Sequence, residues 1–214
     1  MLRRMMATRI SIVCALAPVL AAPAFAEEWR RVLHRDGVEV SARSVPGSSI
    51  WEMRAAALVP VPPEQFLSVL ADTAAYPAHL PPTESVRILR QEGNRTWVYM
   101  VLRPPFVSRR DSCIRITRAE LRGGLIISEW AADDEGCPGP QPGLVRIEEN
   151  RGRWVLTPAN GGQATAVEYL AHTDPGGRVP AWLANRGTAR ALPELFRVVS
   201  QAAQEPRYRA ANVR

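Results

Sequence analysis

The sequence predicts an α+β domain in which a long antiparallel β-sheet curves around a C-terminal α-helix. Between residues 85 and 173 the chain is a succession of strand-like segments separated by tight-turn signals, and successive strands joined by short turns pair antiparallel. Near the C-terminus Trp182, Ala189, Leu192, Phe196 and Val199 recur at spacings of 7, 3, 4 and 3, which keeps them on one helical face, and Leu183, Leu195 and Val198 widen it. A face that wide must bury against something, and the concave side of the sheet is the one large surface on offer.

Taken in order, Glu27 to Leu33 reads as a short helix with Trp29, Val32 and Leu33 on one side. Asp36-Gly37 turns the chain, Val38 to Arg43 alternates as a half-buried strand, and Ile50 to Leu58 is its hairpin partner across Pro46-Gly47-Ser48-Ser49. Pro62 and Pro63 suit a helix start, where the missing N–H costs nothing, and Phe66, Val69 and Leu70 form the apolar side of the helix from Glu64 to Leu70. Asp72 to Leu80 is a shorter helical or turn segment. Strands follow at Ser85–Gln91, Thr96–Arg103, Asp111–Leu121, Leu125–Ala132, Leu144–Thr157 and Ala164–Thr173, punctuated by Gly, Pro and Asn. The last helix runs from about Pro180 to Ala203, and Pro193 inside it predicts a kink or a break. Glu205 to Arg214 lacks an apolar pattern and reads as a loose tail.

Composition narrows the class. A 46% apolar and 22% charged chain of 214 residues fits one globular domain and a targeting segment. Arg3, Arg4 and Arg9 precede an apolar run from Ile10 to Ala22, and Ala24-Phe25-Ala26 closes it, as in a secretory signal peptide cut after Ala26. The expected organisation is a leader over 1–26, a ligand-binding domain over 27–204 and a tail over 205–214, in a periplasmic or secreted protein. Cutting there removes three positive charges from the net +6, leaving 6 − 3 = +3. Every basic residue is arginine and lysine is absent. The arginines are scattered rather than gathered into a footprint, which argues against nucleic acid as a partner.

Export places the chain where disulfides persist, so the two cysteines beyond the leader, Cys113 and Cys137, are expected to pair. With no C-x-x-C motif the bridge would be structural. His34, His79 and His172 are far apart and have no metal-ligand spacing. No G-x-S-x-G elbow, P-loop or G-x-G-x-x-G occurs. No cofactor is expected, and the chain reads as a binding protein and a monomer rather than an enzyme. Trp97, Tyr99, Trp130, Trp154 and Tyr169 lie on predicted strands, with Trp182 and Phe196 on the last helix. Such rings give apolar area with a polar handle, as a ligand cavity needs. Trp97 and Tyr99 share one strand face and Val98 and Met100 the other, and the sequence leaves open which face looks inward.

Several strings resemble the START-like lipid-transfer domains. These are Asp36-Gly37-Val38, the segment Asp72-Thr73-Ala74-Ala75-Tyr76-Pro77, Ser108-Arg109-Arg110-Asp111, and above all Asp174-Pro175-Gly176-Gly177-Arg178-Val179-Pro180-Ala181-Trp182-Leu183-Ala184-Asn185 at the start of the last helix. In order, they cover about Trp29 to Ala203. The resemblance implies the helix-grip fold and a tunnel between sheet and helix for one lipid or similar apolar molecule. It implies a loop near the tunnel mouth, here about Arg103 to Arg110 with Phe106 in it, and transient contact with a membrane surface. It also implies a tunnel arginine five residues after the R-D pair. The nearest match, Arg115, stands four after Asp111, and on a strand one residue decides the face.

Arg109-Arg110-Asp111 is open between a clamp for a lipid phosphate and a salt-bridged corner that sets the loop angle. Two further readings of the whole stay open. One is a polyketide cyclase/aromatase-like enzyme with a buried pair such as Glu84 with Tyr99 or Arg115. The other is a periplasmic interaction protein with a collapsed pocket.

Overall fold

A computed structural model describes residues 28–209. The leader expected over 1–26 lies outside the described residues, as do residues 210–214. The strands are β1 (Arg30–Arg35), β2 (Val38–Val45), β3 (Ser48–Val59), β4 (Thr83–Glu92), β5 (Arg95–Leu102), β6 (Arg110–Glu120), β7 (Ile126–Ala132), β8 (Val145–Arg146), β9 (Asn150–Ala159) and β10 (Ala164–Thr173). The helices are α1 (Pro63–Ala71), α2 (Tyr76–His79), α3 (Ala181–Ala203) and α4 (Pro206–Arg209). One sheet runs β1-β2-β3-β10-β9-β7-β6-β5-β4, antiparallel throughout, and β8 adds in parallel to the start of β6. Helices α1 and α2 cross between β3 and β4, and α3 lies in the concavity. The predicted fold class is the one observed.

Four local expectations are corrected. The segment read as an N-terminal helix is β1, paired with β2. A bulge between Arg31 and Leu33 lets both Val32 and Leu33 pack on the core, which imitates helical spacing. The strand expected over Leu144–Thr157 divides into β8 and β9, because the chain leaves β6 after Ile147, whose N–H donates to the Asp111 carbonyl at 2.8 Å. Pro193 does not break α3, which runs uninterrupted for 23 residues with Pro193 buried in its packed face. Burial of that face offsets the hydrogen bond the proline removes. Nor is the tail loose over its first turn. Tyr208 of α4 is buried, and its hydroxyl donates to the Asp72 carboxylate at 2.8 Å. That long-range contact leaves no local periodicity to read. Burial and the Asp72 bond push the Tyr208 hydroxyl up to about 12.

The interior has two apolar clusters. In the larger, Ala189, Leu192, Phe196 and Val199 of α3 pack with Val40, Met53 and Ala55 of the sheet and Phe66 and Val69 of α1. In the smaller, Tyr76 of α2 packs with Val98, Met100, Ile114 and Ile116. Leu80 and Trp130 touch both.

Candidate functional site: the concave interior and its two ends

Register decides which predicted residues face inward. On β5, Val98 pairs with Ile114 and Met100 with Ser112, and both enter the interior cluster. Trp97 and Tyr99, one residue out of phase, pair with Arg115 and Cys113 and face outward. The assignment of Trp97, Tyr99 and Arg115 to the cavity is therefore corrected. Arg115 contacts Asp133 at 3.1 Å on the outer face. The one-residue offset from the R-D pair did flip the side chain.

Trp130, Tyr169 and Phe196 do come together inside. Tyr169 lies 5.5 Å from Trp130 and 4.6 Å from Trp154, and Trp154 lies 5.5 Å from Phe196, centroid to centroid. The indole N–H of Trp130 donates to Asn150 Oδ1 at 2.9 Å, Thr173 donates to the same oxygen at 3.0 Å, and Asn150 Nδ2 donates to Ser112 Oγ at 3.2 Å. This polar ladder satisfies its own groups within an apolar wall. Burial alone raises the Tyr169 hydroxyl, with no hydrogen-bond partner contributing, so it stays neutral.

Trp182, placed on the cavity face by spacing, is 63% exposed. The reason is where α3 meets the sheet. Buried Asn185 accepts from the Trp51 N–H at 2.9 Å and donates to the Ser49 carbonyl at 3.1 Å. This pins the helix at the very start of β3, so Trp182 and Leu183, one turn earlier, overhang the end of the sheet. At the same end Phe106 stands fully exposed at the tip of the β5–β6 loop with φ of 65°, an uncommon conformation for a bulky residue. Arg103 and Arg109 both donate to Glu84 and tether that loop. Glu84 is thus committed to arginines and is not paired with Tyr99 or Arg115. Arg110 is buried and donates to the carbonyls of Pro175 and Ser108, joining the loop to the segment before α3. Burial pulls its guanidinium pKa down. Arg109-Arg110-Asp111 is a corner that fixes the loop rather than a free phosphate clamp.

The outer face carries a structure that the sequence showed only through its cysteines. Cys113 and Cys137 are bonded across a separation of 24 residues. The loop they hold lies over β4–β6: Asp133 accepts from the Trp97 indole at 3.2 Å, and Glu135 takes Arg90 in a fork at 2.7 and 3.0 Å. The Arg90 guanidinium also stacks 3.7 Å over Trp97. Asp133, Glu135 and Arg146 were missed as partners; the Cys137 pairing was the one signal that could have brought that loop to β6. Changing both cysteines to alanine is expected to lower stability by about 3 kcal/mol, from a loop-closure entropy estimate. It should also shift Trp97 emission as its cover loosens. Guanidinium melts followed by fluorescence check both, and an unchanged midpoint would refute the estimate.

A groove of about 520 Å³ opens at the opposite end of β6, lined by residues including Leu67, Ala71, Arg118, Ile126 and Tyr208. A second of about 410 Å³ lies on the outer face among Arg43, Arg115, Arg151 and Arg153.

Comparison with known proteins agrees with this arrangement. A family model described as the START domain matches residues 14–209. An uncharacterised protein of Pseudomonas aeruginosa is 30% identical over 178 residues, covering 83% of this chain and 87% of its own. A crystal structure of a STAR-related lipid transfer protein from Xanthomonas axonopodis superposes with a TM-score of 0.76 at 24% identity, covering 83% of this chain and 99% of that one. Human STARD10 superposes at 0.75 and 21% identity, covering 84% and 74%. The chain belongs to the START domain family.

Proposed function

We propose that the protein binds, and passes between membranes, a lipid or other apolar molecule held between α3 and the β4–β7 half of the sheet, without acting on it chemically. The division of the concave face into two apolar clusters carries this reading. Helix α3 packs on β1–β3, while the β4–β6 wall is faced by α2, and Trp130 and Leu80 stand at the seam with Tyr169 stacked beside Trp130. A ligand entering there would meet aromatic rings and the neutral Tyr169 hydroxyl. Burial of its apolar surface, worth roughly 25 cal/mol per Å², would drive binding. Phe106, Trp182 and Leu183 are exposed together at one end and suit transient contact with a bilayer. The proposed setting is the periplasm or the exterior, reached by cleavage after Ala26, where the disulfide would persist.

Native mass spectrometry of protein incubated with vesicles of its host's lipids should show a retained lipid. Phe106→Ser, at an exposed site that leaves the core intact, should slow lipid transfer between vesicles while the melting temperature holds. Protein that retains no ligand from any lipid pool defeats the proposal.

A further inference from the structure

We propose a second ligand site, separate from the interior seam: the groove between α1, the far end of β6 and α4 takes the anionic head of a single-chain amphiphile, a carboxylate or phosphate, on Arg118. β6 runs for 11 residues from the Phe106 end to this groove, so the two ends lie roughly 30 Å apart at the rise of an extended strand. Arg118 pairs with Ser128 of β7 and so projects from the inward face of β6, two residues beyond Ile116. Its Nη2 donates to the Leu70 carbonyl at 2.8 Å, at the end of α1. Its Nε is buried without a hydrogen-bond partner. A guanidinium has five donors in a fixed fork that matches carboxylate and phosphate oxygens. Here the fork is held by a neutral carbonyl, and among the described residues Arg118 forms no ion pair. At the rim Arg207 contacts Glu205 at 2.9 Å and Asp72 at 3.8 Å, while Glu120, two residues along the same face of β6, forms no ion pair among the described residues. Glu120 is exposed at the rim.

The apolar side of the groove comes from Leu67, Ala71 and Ile126, with Tyr208 closing it from α4. At about 520 Å³ the volume lies in the range of small-molecule sites and is enough for a chain of about a dozen carbons. An apolar wall beside a half-buried guanidinium, with the Glu120 carboxylate out at the exposed rim, selects an amphiphile with a negative head over a neutral lipid.

The test is calorimetric titration of the whole protein with dodecanoate, dodecyl phosphate and an uncharged dodecyl glycol ether, each below its micelle concentration. The anionic probes should bind at least ten-fold more tightly than the uncharged one, as charge-assisted hydrogen bonds imply, and Arg118→Gln should erase that preference. The better of the two anionic probes identifies the head group as a carboxylate or a phosphate. Ala71 is exposed at the end of α1, so Ala71→Trp should fill the groove and abolish binding without touching the core. It keeps the test sharp if the Arg118 variant folds poorly. The lipid retained at the interior seam in native mass spectra should persist in Ala71→Trp, which separates failure of this site from failure of the seam. Equal affinity for charged and uncharged probes, or wild-type affinity in either variant, overturns the proposal.

Discussion

Replacing Gly152 by alanine is expected to destabilise the fold by about 3 kcal/mol or more, the range for a buried clash that the core cannot absorb. Gly152 sits on β9 opposite Trp130 on β7 and Ala171 on β10. A Cβ there would stand 2.3 Å from the Leu170 carbonyl oxygen and 2.4 and 2.7 Å from two atoms of the Trp130 ring. One of these neighbours is backbone and the other a ring held by its bond to Asn150, so neither can step aside cheaply. The indole lies across the strand because the glycine leaves it room. The alanine variant should therefore lose both stability and the near-UV signal of a fixed Trp130. For a domain of this size the melting temperature should fall by roughly 6–12 °C. Arg151→Ala, one residue away and exposed, is the control. A Gly152→Ala protein that melts within a degree or two of wild type would show that the strands part more easily than this packing implies.

Asp111→Asn should cost about 3 kcal/mol, the low end for removing one partner of a buried ion pair. The Asp111 carboxylate is 2% exposed and takes Arg146 in a fork, 3.0 Å from Nε and 2.8 Å from Nη2. Tyr99 donates to the same carboxylate at 3.2 Å. Arg146 also donates to the Pro138 carbonyl at 2.9 Å and lies 3.1 Å from the Cys137 sulfur, so this pair fastens the disulfide loop to β6. The Arg146 hydrogen bonds hold the Asp111 carboxyl below its usual range. A group whose folded pKa is depressed contributes stability that is present above its unfolded pKa, near 4, and is lost as pH falls through the folded value. Wild-type stability should thus decline as pH drops below about 4, and Asp111→Asn should show a shallower decline from a lower starting point. Chemical melts from pH 7 to pH 2 measure both slopes. Parallel curves for the two proteins would mean that Asp111 carries no proton-linked stability.

Both predictions rest on pairings that are remote in sequence, which is the boundary of what could be read from the chain. Local signals were strong where they were periodic. The alternation in β2, the Pro62-Pro63 helix start and the α3 stripe each followed from neighbours a few residues apart. The string from Asp174 to Asn185 marked the entry to α3, and its Gly176 does adopt a left-handed turn, with φ of 68° and its N–H donating to Asp174 at 2.8 Å. Periodicity misled where a bulge altered it, as in β1, and it was silent where a single long-range contact did the ordering, as for Tyr208.

By itself the sequence determined the fold class, the pairing of Cys113 with Cys137 and the family, because apolar spacing and turn chemistry are properties of consecutive residues. Only the tertiary structure decided which side of each strand is the inside. Register is set by pairing with strands tens of residues away, and one step exchanges every side chain between the two faces. That step turned Trp97, Tyr99 and Arg115 outward and left Trp130, Tyr169 and Phe196 within. It also put Arg118, which no local pattern singles out, on the inward face at the far end of β6.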